Sequence, residues 1–313
     1  MVFLWYNINM IPEFPSFKKI NIEDRKSIES YTSQFLPYSD FNFTSLWTWD
    51  TKGERMISIL NGNLVIRFTD YGTCEPFFSF LGVNDPENTV RKLIDFSNKS
   101  GLPSILRFIP EEAVTCIQKS GLNIVEDEDN FDYIYSIPEL VNLKGIKFKA
   151  KRHSATKFIK EYPGAYFEIV DLNNNEVSKQ IILVLECWNN KKNAGEIKAE
   201  FKQEEIAINK LLQSSANHKL IASCIYLRGS MIGFSIDEIL PLGYAMSHFF
   251  KADTTYKGIY DFMNQKVSEY LATQGVALWN WEQDLGDENL RKSKRGYHSV
   301  SFLKKYIVSL TNK

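Results

Sequence analysis

The chain has 313 residues, 44% of them hydrophobic and 24% charged, with 37 basic and 38 acidic side chains and a formal net charge of −1. This is ordinary globular composition, and it excludes a disordered chain, a collagen-like chain and a globally basic nucleic-acid binder. One large domain or two of roughly 150 residues would each bury a real core at this length. The average conceals an imbalance: residues 1–139 hold 12 basic and 20 acidic groups, net −8, whereas residues 140–313 hold 25 and 18, net +7. An anionic ligand is therefore sought in the second half.

The opening stretch MVFLWYNINMIP lacks a basic n-region and is interrupted by Asn7 and Asn9, so it reads as neither a signal peptide nor a membrane span. No apolar run elsewhere approaches the roughly 18–20 residues of a spanning helix, and a cytoplasmic protein is the expectation. Cys74, Cys116, Cys187 and Cys224 are far apart with no CxxC spacing, which points to neither a disulfide framework nor a zinc site.

In chain order, residues 22–36 have helical spacing, and 39–48 alternate aromatic and polar groups. Strands at 56–60 and 64–69 flank Asn61-Gly62-Asn63, a hairpin signal. A strand at 74–81, a helix at 86–100 ending before Gly101, a strand at 105–108 and a helix at 111–120 closed by Gly121 follow. Acidic residues 126–132 lead into a strand at 133–136. The second half repeats the logic. Helix 151–161, strand 166–170 and helices 175–188 and 204–213 precede a hairpin of 220–227 and 232–240 around Arg228-Gly229-Ser230. Strand 243–251, helix 258–273 and strand 276–281 complete it. Each half runs helices, hairpin, strand, helix, strand, so two mixed α/β domains of similar order are expected, 1–143 (acidic) and 144–313 (basic, the active-site half).

Four segments carry the candidate chemistry. Residues 140–160 hold seven basic side chains and no acid, and residues 289–313 hold seven more, again without an acid. These are either solvated faces or, for some members, phosphate ligands. In Trp279-Asn-Trp-Glu-Gln-Asp-Leu-Gly286 a tryptophan-rich strand ends in Glu282 and Asp284, two apart and so on one face. Such carboxylates suit an amine ligand, a general base, or ion pairs with Arg291 and Lys294. Thr254, Thr255, Lys257 and Gly258 stand before a helix whose first amides could receive phosphate, a weak motif without the Gly-rich loop. His248 on its strand reads as a satisfied core histidine. His153, His218 and His298 have no ligand-like spacing, which disfavours a metal, and no signature of a covalent nucleophile occurs.

These residues resemble the soluble catalytic domain of bacterial phosphatidylglycerol lysyltransferases and its stand-alone relatives. The likeness rests on Tyr38-Ser-Asp-Phe-Asn-Phe-Thr-Ser-Leu-Trp47, Asp132-Tyr-Ile-Tyr135, Leu143-Lys-Gly-Ile-Lys-Phe-Lys-Ala-Lys-Arg-His-Ser-Ala-Thr-Lys-Phe158, Asn280-Trp-Glu-Gln-Asp-Leu-Gly286 and Leu290-Arg-Lys-Ser-Lys-Arg-Gly-Tyr297. It spans about residues 35–306. The resemblance implies an α+β fold of two tandem GCN5-related N-acetyltransferase-like domains, as in Fem-type aminoacyltransferases. It carries over Lys151, Arg152, Glu205, Lys251, Asn280, Glu282, Asp284, Arg291, Lys294 and Tyr297 as site residues, while His153 departs from the usual asparagine.

The reaction expected is acyl or aminoacyl transfer from an activated ester, aminoacyl-tRNA or a thioester, to a hydroxyl or amine by direct attack. Glu282 or Asp284 would hold the substrate amine or orient the nucleophile, with the basic residues on phosphate. The alternatives are an acetyl-CoA-dependent N-acetyltransferase with pyrophosphate at Thr254–Gly258, or a non-catalytic module that binds a phosphorylated ligand.

Overall fold

The computed structural model describes residues 10–70, 75–118, 121–193 and 199–311. The chain divides into two compact units, the first made of residues 1–131 and 303–313, the second of residues 132–302. The division departs from the expected 1–143 and 144–313, because one strand from each half completes the sheet of the other.

In the first unit, strands β1 (Lys18–Lys19), β2 (Met56–Leu60), β3 (Asn63–Thr69), β4 (Pro76–Leu81), β5 (Ile105–Pro110) and β6 (Leu122–Glu126) are joined by β14 (Lys305–Leu310) from the far end of the chain. The order is β1-β2-β3-β4-β5-β14-β6. All pairs are antiparallel except β4 with β5. The hairpin turn of β2 and β3 places Asn61 at φ +52° and Gly62 at φ +77°, the left-handed pair that an Asn-Gly turn supplies at least cost. Helices α1 (Arg25–Thr32), α2 (Phe43–Thr48), α3 (Pro86–Lys99) and α4 (Glu111–Thr115) complete this unit. The buried Val90, Leu93 and Ile94 of α3 pack on Phe78, Phe80, Leu106 and Val308 of the sheet.

The second unit begins with β7 (Asp132–Ser136) and continues with α5 (Ile137–Asn142), α6 (Lys149–Glu161), β8 (Tyr166–Val170), α7 (Asn175–Asn193) and α8 (Ala199–Gln213). Then come β9 (Leu220–Leu227), β10 (Ser230–Leu240), β11 (Tyr244–Ala252), α9 (Ile259–Thr273), β12 (Leu278–Asn280), α10 (Glu288–Arg295) and β13 (Ser301–Leu303). The order is β13-β7-β12-β11-β10-β9-β8, with β11 and β12 the parallel pair. Phe158 of α6, Phe262 and Met263 of α9 and Trp279 of β12 are buried in one core. At about 2–3 kcal/mol per fully buried large side chain, this core supplies most of the unit's stabilisation.

The exchanged strands also change the electrostatics. Lys304, Lys305 and Lys313 count with the first unit and Asp132 and Glu139 with the second. The first unit then carries 15 basic and 18 acidic groups, net −3, and the second 22 and 20, net +2. The contrast of −8 and +7 is thus mostly a product of cutting the chain linearly. What survives is local, in the stretches 140–160 and 289–298 of the second unit.

Candidate active site

Strands β11 and β12 run side by side only from Tyr244 opposite Leu278 to Met246 opposite Asn280. Beyond Asn280 the chain turns away while β11 continues to Ala252. The turn is made at Glu282, a non-glycine residue at φ +57°. The Trp281 N–H donates to the Tyr133 carbonyl (3.0 Å) and the Tyr133 N–H to the Glu282 carbonyl (3.2 Å), so this segment follows β7 and leaves β11. A fork opens at the carboxyl ends of the parallel pair, the position where open sheets place ligands.

One side of the fork is shaped by a β-bulge. Ile236 pairs with Phe249 and Asp237 with Ser247, which leaves His248 without an opposite residue on β10. Bulges turn side chains out of the regular alternation. The His248 ring lies between two carboxylates, with Nε2 3.2 Å from Glu238 Oε2 and Nδ1 3.4 Å from Glu282 Oε1. Burial favours the neutral imidazole, but the two glutamates outweigh it and raise the pKa to about 9. The imidazolium between two carboxylates leaves the cluster with a single negative charge. Its accessible end is Glu282, whose side chain is 19% exposed against 1% for His248 and 3% for Glu238.

The Glu282 backbone is fixed from both sides. Its N–H donates to Asn280 Oδ1 (2.7 Å), and Asn280 Nδ2 donates to Asp132 (3.3 Å). The Lys294 ammonium donates to the carbonyls of Trp281 (2.5 Å), Glu282 (3.1 Å) and Gln283 (2.6 Å). Below the fork, Trp279 Nε1 donates to buried Asp237 (3.0 Å), and burial raises the Asp237 pKa to about 7 despite Ser235, Trp279 and His248.

Several expected ligands serve the scaffold. Asp284 is fully buried and accepts from Arg291 Nε (2.8 Å) and Nη2 (2.7 Å), the Tyr133 hydroxyl (2.6 Å) and the Gly286 N–H (3.0 Å). Burial alone would raise its pKa; Arg291 above all, then Tyr133 and Gly286, holds it below the ordinary value. It has no lone pair left for a catalytic proton, which corrects its expected role. Arg152 donates to the carbonyls of Leu143 and Gly145. Lys151 pairs with Asp261 (3.3 Å) and lies over the Tyr297 ring (3.9 Å), and the buried Tyr297 hydroxyl donates to the same Asp261. Arg152, Lys151, Arg291 and Lys294 thus each have a different protein acceptor. Lys251 is paired with Glu204 (2.8 Å) and lies over Trp188 (3.6 Å), whereas Glu205 faces solvent.

At the entrance to α9 three backbone amides are already paired. The Thr255 N–H is taken by Asp253 Oδ1 (2.8 Å), the Tyr256 N–H by the Asp253 carbonyl (3.2 Å) and the Ile259 N–H by Tyr256 (3.1 Å). The Asp253 carboxylate, bound by Lys191, occupies the mouth, and Lys191 also donates to Thr255 Oγ1. Gly258, at φ +89°, lies so near α6 that a Cβ there would sit 2.6 Å from the Ser154 carbonyl. Thr254 and Lys257 are exposed beside it.

His248 is, as its strand position suggests, a buried histidine with both ring nitrogens paired, and Glu238 is the member of the cluster that sequence reading did not single out. Glu238 pairs with Met246 across the hairpin, and His248, two residues further along β11 on the same face, is its diagonal neighbour at the bulge. Among the described residues no group of three or more His, Cys, Asp and Glu side chains is arranged to hold a metal ion, and no helix is long and apolar enough to cross a membrane.

Comparison with known proteins gives the fold its family. A conserved protein of unknown function from Bacteroides thetaiotaomicron is similar at 25% identity and a TM-score of 0.81, over 96% of this chain and 100% of that one. The C-terminal domain of a putative lysylphosphatidylglycerol synthetase from Agrobacterium fabrum is similar at 13% identity and 0.65, over 94% and 93%. A tandem GNAT protein from clavulanic acid biosynthesis matches at 8% identity and 0.50, over 95% and 99%. These likenesses establish the fold as two tandem GCN5-related N-acetyltransferase-like domains. None of the curated proteins compared with the chain matches it significantly. The family described as phosphatidylglycerol lysyltransferase, C-terminal, matches residues 33–309, and the chain belongs to that family.

Proposed function

We propose that the protein is an aminoacyltransferase that moves an amine-bearing acyl group from an activated ester to a hydroxyl or amine acceptor, with the site in the second unit. The observation that carries this reading is the Glu238–His248–Glu282 cluster in the fork. Its single net negative charge and one accessible carboxylate suit an ammonium group, which an aminoacyl donor carries and an acetyl donor lacks. Membership of a lysyltransferase family supports the same donor class, an aminoacyl ester on tRNA, and a lipid as acceptor.

In this reading Glu282 anchors the substrate ammonium, which sets the ester carbonyl in the fork within reach of the acceptor. The acceptor oxygen or nitrogen attacks the carbonyl carbon, the tetrahedral intermediate collapses, and the alcohol of the donor leaves with the proton that the acceptor gave up. No covalent bond to the protein forms, and most of the rate gain comes from positioning. His248 keeps Glu282 aimed, and Glu238 keeps His248 protonated. The clamp of Lys294 on three successive carbonyls holds the geometry between turnovers.

Calorimetric titration with lysinamide and with acetyl-CoA tests the reading. Lysinamide should bind, Glu282→Gln should weaken it at least tenfold, and acetyl-CoA should give no heat. Turnover of acetyl-CoA without any affinity for cationic aminoacyl amides would overturn the proposal.

A further inference from the structure

The loop between α5 and α6 presents Ile146 to solvent at 91% exposure. Single exposed aliphatic residues are common and need no explanation. This one differs in how firmly it is held. Leu143 and Phe148, on either side, are buried to within 2% and 1% exposure. Arg152 donates to the carbonyls of Leu143 and Gly145, the Lys149 N–H donates to the Ile146 carbonyl (3.1 Å), and His298 Nε2 lies 3.2 Å from the Lys147 carbonyl. The loop is thus a fixed apex.

Its surroundings are basic. Lys144, Lys147 and Lys149 are exposed within three residues of Ile146. Lys147 pairs with Glu139 (2.9 Å), while Lys144 and Lys149 have no acidic partner among the described residues. The His298 contact and the Phe148–His298 ring contact at 5.5 Å bring the end of α10 alongside, with exposed Lys292 and Arg295. Lys157 and Lys160 continue the charge along α6, and residues 140–160 contain no acid.

We propose that this face of the second unit, with Ile146 at its apex, docks on the surface of an anionic lipid bilayer. The argument is independent of the proposed transfer reaction. Lysines around a fixed aliphatic tip complement a surface that is negative in its headgroup layer and apolar just beneath. An RNA backbone would satisfy the lysines but leave Ile146 in water, since nucleic-acid surfaces are recognised by aromatic stacking and polar contacts. With one inserted side chain and a few lysines the attachment is weak, reversible and sensitive to salt.

Sedimentation of the intact protein with vesicles decides the matter. Vesicles of phosphatidylcholine with phosphatidylserine should bring the protein down at low salt, and phosphatidylcholine alone should not. Phosphatidylserine is chosen so that binding reports the surface and not a substrate. Ile146→Ser should lower the vesicle partition about tenfold, and the double variant Lys144→Gln, Lys149→Gln about twenty-five-fold at roughly fivefold per lysine. All three positions are exposed, and circular dichroism confirms that the variants stay folded. Equal partition of Ile146→Ser and the parent, no sedimentation with phosphatidylserine vesicles, or retention of total tRNA in place of vesicles would each overturn the proposal.

Discussion

In both units the second strand of the parallel pair parts from its parallel neighbour at a left-handed, non-glycine residue while it stays paired on its other side, and different chemistry sits there. In the first, Leu106 of β5 pairs with Val308, and two residues later Phe108 has φ +57°. In the second, Asn280 of β12 pairs with Ile134, and two residues later Glu282 has φ +57°. Neither residue is glycine, and a left-handed phenylalanine or glutamate costs on the order of 1 kcal/mol that the surroundings must offset. Phe108 is held by Phe77 and Phe68, with ring centroids at 5.0 and 5.7 Å, and is 2% exposed. Glu282 is held by Asn280, Lys294 and the imidazolium of His248. The first unit closes its fork with aromatic packing, and the second lines its fork with charge. The fold parts the strands in both, and the side chain at the left-handed position decides what stands there, an aromatic ring in the first unit and a partly exposed carboxylate in the second.

The largest expected effects fall on the supports of these two exits. Asp284→Ala removes the carboxylate that Arg291 and Tyr133 share, and it takes from a partly desolvated guanidinium its bidentate acceptor. Breaking a buried pair from one side costs about 3–5 kcal/mol, so chemical denaturation should show a loss of that size. Phe108→Ala should cost about 3 kcal/mol through the cavity it leaves, while transfer activity per folded molecule stays unchanged. A loss of activity with Phe108→Ala at full folding would mean that the first fork also takes part in the reaction, and the contrast drawn between the units would fail.

How much of this was legible in the sequence depends on the range of the interaction. The hairpins at Asn61-Gly62 and Arg228-Gly229 and the helix ends at Gly101 and Gly275 are local, and they lie where the residues place them. Strand β6, helices α5 and α10 and the short α2 are shorter or less regular, and periodicity did not reveal them. The exchange of β7 and β14 is invisible to any local pattern, because a strand of five or six residues does not state its partner. Glu282 was legible from its position after a strand. Its separation from Asp284 was not: both are acidic, two apart, and the left-handed turn at 282 points them to different partners.

The pH dependence sharpens the same contrast, because the two large shifts near neutrality, at His248 and Asp237, both lie in the second unit. The His248 pKa of about 9 lies above its ordinary 6.5, so the folded state holds this proton more tightly than the unfolded chain. The stabilisation is complete below pH 6.5 and is lost as pH climbs through 9, up to ~3 kcal/mol in all. Asp237, raised to about 7 from 3.8, has the same sign over a lower window and makes stability fall as pH rises through that range. Denaturation midpoints should therefore decline between pH 6.5 and 9, and His248→Gln should flatten that decline. A parent curve that is already flat there would mean that His248 is not the imidazolium on which the proposed ammonium site depends.

The smallest effect separates two neighbouring glutamates. Residues 204 and 205 sit on adjacent positions of α8, about 100° apart around the helix, so only one of them can face β11. At about 100° per residue the buried Phe201, Ala207, Ile208 and Leu211 centre on the position of Glu204 and leave Glu205 well to one side. The structure chooses Glu204, whose carboxylate lies 2.8 Å from Lys251 Nζ with both side chains mostly covered, at 16% and 14% exposure. Lys251 also rests on the Trp188 ring, so its ammonium has left much of its water behind. Glu204→Ala then removes the carboxylate partner of a poorly hydrated cation, a loss of about 1–2 kcal/mol. Glu205→Ala removes a solvated side chain and should change stability by no more than ~0.5 kcal/mol. Parallel denaturation and transfer assays on the two variants distinguish the readings. If Glu205→Ala impaired transfer and Glu204→Ala did not, substrate would have to reach the exposed face of α8, and the site would extend well beyond the fork.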